Sequence, residues 1–174
     1  KLIYKRGSSC WQASEGPESI DNPETGSYSL FMAYDELNVA YNTRVARYQN
    51  IEGPYYGIDG TNVTAGGNML PVVTHPYKFS TGYGWVGISH CAVFDDGAGN
   101  WYYASQGRLP VNVGGNEYSN AVMMGHVRSI RWTEDGWSVV MPERYGAVPA
   151  VAITEAELIG DWEHIDLSYR FAQQ

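Results

Sequence analysis

The side chains able to do acid–base, ligand or stacking chemistry are few and unevenly placed. Asp35-Glu36 and Asp95-Asp96 are neighbouring carboxylates. Adjacent residues of a strand point to opposite faces, so neither pair converges unaided. Asp95-Asp96-Gly97 and Asp135-Gly136 have the composition of tight turns, and none of these carboxylates is assigned to catalysis. His90 stands in the apolar run Gly87-Ile88-Ser89-His90-Cys91-Ala92-Val93-Phe94. A lone imidazole there is ordinarily a hydrogen-bonded core residue. Arg108, in Gly107-Arg108-Leu109-Pro110, is either a surface arginine or a guanidinium donating to hydroxyls and carboxylates. Tyr41, Tyr83 and Trp85 could stack on a sugar or other flat ligand, although in so aromatic a chain packing is the default explanation for each. His126 reads as mid-strand and structural, and no role is visible for His75 or His164.

The elements that must position these residues read as strands. Residues 2–5 form a short apolar run, and the polar Gly/Ser/Pro/Asp stretch 7–26 reads as loop. Residues 28–34 are apolar and aromatic, and 43–48 alternate, so both are strands. Residues 88–94 and 101–105 are strands joined by a hairpin at 95–100. Residues 123–132 and 137–141 form another hairpin across Thr133-Glu134-Asp135-Gly136. Only 154–158 suggests a helical turn, with Thr154 as cap and Glu157 as its partner. The predicted fold class is all-β. A weak repeat places two four-stranded antiparallel units about seventy residues apart, which suggests propeller blades, with a β-sandwich as the alternative. After Pro149 the texture becomes small and acidic, and strand-like alternation resumes at 161–171.

Eleven basic residues against nineteen acidic ones leave a net charge of −8, the wrong sign for a nucleic-acid or anionic-membrane partner. No window is apolar for long enough to be a transmembrane helix. Six Trp, fourteen Tyr, twenty Gly and eight Pro, with only 17% charged residues, fit a turn-rich β protein and not a disordered chain. Two cysteines, Cys10 and Cys91, are too few for a disulfide scaffold; buried thiols are the simpler reading, and pairing stays open. The apolar first residues, without an initiator Met, read as a cut inside a fold.

Several segments together resemble the arabinanase branch of glycoside hydrolase family 43. Residues 28–60 carry a strand, Tyr-Asn-Thr-Arg-Val and then Gly-Pro-Tyr, similar to a fourth blade in that family. Residues 87–110 resemble its fifth-blade Gly-x-x-His strand and hairpin, and 126–145 the outer strands of the same blade. Residues 159–169 resemble the opening of a small β-barrel appended to multidomain members. The resemblance thins over 7–26 and 61–86.

It implies the last blades of a five-bladed propeller over 1–149, then a linker and first strand of an appended β domain over 150–174. It also implies inverting cleavage of α-1,5-linked L-arabinan. That chemistry needs a carboxylate base and a carboxylic acid about 6.5–9.5 Å apart. The family's three carboxylates come from early blades, and residues 1–6 look like the strand that follows the acid. A Glu-Gly-Pro or Glu-Ala-Pro is therefore expected just before Lys1, with the catalytic carboxylates in an N-terminal half and this segment inactive alone. Residues 35–41 would overhang the acid, making Asn38 and Arg108 the expected substrate-binding residues. His90 would hold one central hydrated calcium ion, an unusual but possible ligand for a hard cation. The expected partners are arabinan or arabino-oligosaccharide and the N-terminal half, and the expected location is secreted, periplasmic or cell-surface. An exo-acting arabinofuranosidase or xylosidase of the same family, or a non-catalytic carbohydrate-binding β domain, are the alternatives.

Overall fold

A computed structural model describes residues 1–5, 14–37, 40–65, 70–77, 84–110, 122–146 and 151–164. Eight strands form two four-stranded antiparallel sheets. The first holds β1 (Ser14–Asn22), β2 (Ser27–Tyr34), β3 (Asn42–Tyr48) and β4 (Val72–Thr74). The second holds β5 (Ala92–Asp95), β6 (Trp101–Gly107), β7 (Met124–Trp132) and β8 (Ser138–Val140). Strand order in each sheet follows chain order. A Greek-key sandwich would need a strand returning beside the first of its group, and neither sheet contains one. The all-β expectation and the two four-stranded units are borne out.

The first strand lies elsewhere than expected. Residues 2–5 form no strand; Lys5 instead donates its backbone N–H to the Val63 carbonyl at 3.0 Å. The polar stretch expected to be loop supplies β1, which pairs with β2 from Ser14↔Tyr34 to Asn22↔Ser27. Only Ile20 and Asn22 of β1 are buried, because it is an edge strand. Its residues are fixed by the ladder with β2 and not by apolar burial.

β2 is buried almost throughout because both its faces are covered. Phe31 joins Val45 and Val73 in a cluster with Ile88 and with Tyr103 and Ile130 of the second sheet. Leu30, Met32 and Tyr34 face the other way, onto Tyr55, Val63 and Leu70. Burying each such aliphatic or Phe side chain stabilises by roughly 1.5–3 kcal/mol, so the inter-sheet cluster holds the sheets together. Two hairpins match their sequence signals. Asp95 Oδ1 and Asp96 Oδ1 accept the Gly97 and Ala98 N–H groups, each at 2.8 Å, and Thr133 Oγ1 accepts the Trp137 N–H at 2.8 Å. The helical turn at Glu155–Leu158 is also present, with the Thr154 N–H donating to Glu157 Oε2 at 2.8 Å. Residues 161–164 are not strand, and the rest of that expected strand lies outside the described residues.

The expected strand at 88–94 is shortened to β5. Its first residues are drawn into a polar seam with the first sheet. Thr74 Oγ1 donates to the Ile88 carbonyl, and Ser89 Oγ to the Asn42 carbonyl, both at 2.8 Å. Thr43 Oγ1 lies 2.7 Å from both Ser89 Oγ and Tyr103 Oη. His90 leaves this seam with φ of 57°. Few non-glycine residues adopt that backbone, and here the seam imposes it.

Candidate active site

Meander topology brings the start of β1, the end of β2, the start of β3 and the residues entering β5 to one end of the two sheets. The head of β1 reads Ser14-Glu15-Gly16-Pro17. This is the Glu-Gly-Pro that the family resemblance placed just before Lys1. That placement rested on residues 2–5 being the first strand; with β1 as the first strand, the Glu at its head is Glu15. The signal was present in the sequence, inside a stretch too polar to read as strand.

Gly16 is dictated by its neighbour. The pairing of β1 with β2 slips between Glu15 and Glu18, and Gly16 turns through φ of 54°. A Cβ on Gly16 would stand 2.9 Å from His90 Cδ2, so any larger residue would collide with the imidazole. The tight turn thus presses the backbone beside Glu15 onto the His90 ring.

Glu15 and His90 have side chains 59% and 56% exposed, and His90 Nδ1 is 3.9 Å from Glu15 Oε1. Tyr41, just ahead of β3, is only 2% exposed and donates its hydroxyl to Glu15 Oε1 at 2.6 Å. The same hydroxyl oxygen lies 3.5 Å from His90 Nδ1. Burial first, then the Glu15 carboxylate, push the Tyr41 hydroxyl well above its ordinary range, so it remains a donor. With its ring enclosed, Tyr41 offers no stacking surface, in line with packing as its default reading. Trp85 packs too, edge-on to His126 with centroids 4.2 Å apart and beneath the Arg144 guanidinium at 5.1 Å. Tyr83 and Cys10 lie outside the described residues, and Cys91 is buried.

Asp35 ends β2 with φ of 71° and is buried. Its Oδ2 accepts from Asn42 Nδ2 at 2.6 Å and lies 3.9 Å from Arg44 Nη2, while Arg44 sits 4.5 Å over the Tyr34 ring. Such a buried, partnered carboxylate anchors the loop that follows and is not offered to a ligand. Arg108 anchors the same loop from the second sheet. It is 2% exposed and donates Nη2 to the Leu37 carbonyl at 2.9 Å. It therefore reaches a ligand only through the loop it holds. Asn38 of that loop lies outside the described residues.

No group of three or more His, Cys, Asp and Glu gathers to hold a metal among the described residues. An exposed imidazole beside one carboxylate suits a cation whose shell is mostly water, and does not suit a protein cage.

His126, facing inward from β7, is structural as expected. It is 2% exposed; Nδ1 accepts from Arg128 Nη2 at 3.0 Å, and Nε2 has no partner among the described residues. Burial, then the charges of Arg128 and Arg144, lower its pKa from 6.5 to about 4. The folded state therefore holds it neutral while the unfolded chain protonates. This group costs nothing above pH 6.5; the penalty grows as pH falls and is complete below pH 4, reaching about 3 kcal/mol. Urea midpoints of the intact protein should fall over that window, and His126→Gln should flatten the fall. An unchanged pH dependence in the variant would show that His126 is not its source.

No protein-family model matches the chain. The extracellular endo-α-(1→5)-L-arabinanase of Thermotoga petrophila is 27% identical over 170 residues, covering 87% of this chain and 34% of that protein. Extracellular endo-α-(1→5)-L-arabinanase 2 of Bacillus subtilis is 28% identical over 171 residues, covering 87% and 35%. The solved Thermotoga petrophila endo-1,5-α-L-arabinanase superposes with a TM-score of 0.74 at 26% identity, over 88% of this chain and 36% of that one. A family 43 glycoside hydrolase of Bacillus licheniformis gives 0.75 at 26%, over 89% and 37%. The chain spans about a third of the length of the curated relatives it matches. These matches bear out the resemblance to family 43 arabinanases. No helix among the described residues is long and apolar enough to cross a membrane.

Proposed function

We propose that this chain is a portion of a family 43 glycoside hydrolase that cleaves α-1,5-linked L-arabinan with inversion, and that Glu15 is its general acid. One observation carries the reading. Glu15 heads the first strand within Glu-Gly-Pro, its carboxyl half-exposed yet fixed by a buried tyrosine, in a chain whose relatives are arabinanases. The protonated carboxyl gives its proton to the glycosidic oxygen as the C1–O bond breaks and its electron pair moves to that oxygen. A carboxylate base takes a proton from the water that attacks C1 from the opposite face. Asp35 is tied to Asn42 and Arg44 and is not that base. We assign the base to a part of the enzyme outside this stretch, so the 174 residues alone do not cleave arabinan.

The two sheets are consecutive blades of a five-bladed propeller in this reading, and 150–174 lead into an appended β-barrel. Asn38 is assigned to sugar hydroxyls in this reading, and Arg108 holds the neighbouring Leu37 carbonyl. His90 would hold a hydrated calcium ion, which would supply fixed positive charge beside the reacting sugar. The enzyme is secreted, as expected for a polymer found outside cells and as the relatives' names describe for them. The test is to give the intact enzyme linear α-1,5-arabinan and follow the first product by NMR. The expected new reducing end has the β configuration; α product, or no cleavage, would overturn the proposal.

A further inference from the structure

We propose that Tyr41 is a positioning residue that fixes which oxygen of Glu15 carries the transferable proton. The proposal rests on Glu15 being the acid. The Tyr41 hydroxyl donates to Glu15 Oε1 at 2.6 Å from a side chain that is 2% exposed. A phenol has one proton to give. The carbonyl oxygen of a carboxylic acid is its better acceptor, so donation to Oε1 favours the form with the carboxyl proton on Oε2.

Three features hold Tyr41 to this role. Asn42, the next residue, pairs with Tyr34 in the β2–β3 ladder, and its side chain donates to Asp35 Oδ2 at 2.6 Å and to the Ala40 carbonyl at 2.8 Å. The backbone on either side of Tyr41 is thereby tied. His90 Nδ1 stands 3.5 Å from the Tyr41 oxygen and 3.9 Å from Oε1, so the imidazole flanks the Tyr41–Glu15 hydrogen bond from one side. Gly16 allows the imidazole to press on the backbone beside Glu15, which fixes where the head of β1 runs beneath the tyrosine. As Oε2 loses its proton to the leaving oxygen, negative charge develops on the carboxylate, and the hydrogen bond from Tyr41 becomes charge-assisted. The tyrosine thus orients the acid before the reaction and stabilises its product during it.

The effect should appear as sensitivity to the leaving group. A good leaving group departs without a proton; a poor one needs it. In the intact enzyme, Tyr41→Phe is expected to slow cleavage of phenyl arabino-oligosides and arabinan by roughly 10- to 100-fold, while dinitrophenyl arabino-oligosides lose little. The phenyl-to-dinitrophenyl rate ratio is measured within one variant, so it does not depend on how much enzyme is folded. A ratio equal to wild type overturns the proposal and returns Tyr41 to packing. Should Tyr41→Phe fail to fold, 3-fluorotyrosine at position 41 keeps the ring and strengthens the donor. The ratio is then expected to move toward the phenyl substrate, and an unmoved ratio again overturns the proposal. Glu15→Gln in the same assay separates the premise from the inference. Full arabinan cleavage by Glu15→Gln removes the acid assignment, whereas its loss with an unmoved ratio in the Tyr41 variant removes only the role given to Tyr41.

Discussion

In the intact enzyme, Glu15→Gln is expected to lower the rate on α-1,5-arabinan by about 10²–10⁴-fold, the usual worth of a positioned general acid. Folding should survive, because the side chain is more than half exposed and glutamine keeps its shape. The amide oxygen can still accept the Tyr41 hydroxyl that Oε1 accepts at 2.6 Å, so the constellation is preserved without its proton. Substrate affinity should change little, making the loss one of turnover. The loss should be smaller on a dinitrophenyl arabino-oligoside, whose leaving group departs without a proton. Steady-state rates on arabinan and a dinitrophenyl arabino-oligoside check this. Equal rates for the variant and wild type on arabinan would show that the acid lies elsewhere.

Strands with an apolar face were legible in the sequence because burial leaves its mark on composition. β2 lies between two clusters and reads as Ser-Leu-Phe-Met-Ala-Tyr; β6 and β7 alternate as half-buried strands do. β1 carries no such mark. It reads Ser-Glu-Gly-Pro-Glu-Ser-Ile-Asp-Asn because it is an edge strand whose residues are mostly solvated, and its pairing lies in backbone hydrogen bonds that any sequence can make. Glycine and proline at its head are ordinarily loop signals; here they belong to the irregularity that seats Glu15 against His90. Reading β1 as loop also hides the Glu-Gly-Pro at its head, where the proposed acid stands. Arg108 and Tyr41 were found as candidates by type and position, but their roles depended on burial. A buried guanidinium on a carbonyl and a buried phenol on a carboxylate follow only from contacts between the two sheets and across β1–β3.

Removal of the His90 imidazole should cost about 10²–10³-fold in turnover, the typical loss when one preorganised electrostatic partner is taken away. Two physical effects contribute, and the structure separates them. The ring stands over Gly16, where a Cβ would come within 2.9 Å of it, so His90→Ala also loosens the backbone beside Glu15. The exposed imidazole is in addition the proposed ligand of a hydrated calcium ion. Strong chelation of wild type acts on the ion alone and should reproduce much of the loss, with calcium restoring it. In His90→Ala the same chelation should remove little more, because the site has already lost its protein ligand. Such non-additivity marks the imidazole and the ion as one functional unit. A variant that loses activity yet responds to chelation as strongly as wild type would leave His90 with the packing role alone, and direct calcium titration of both proteins provides the independent readout.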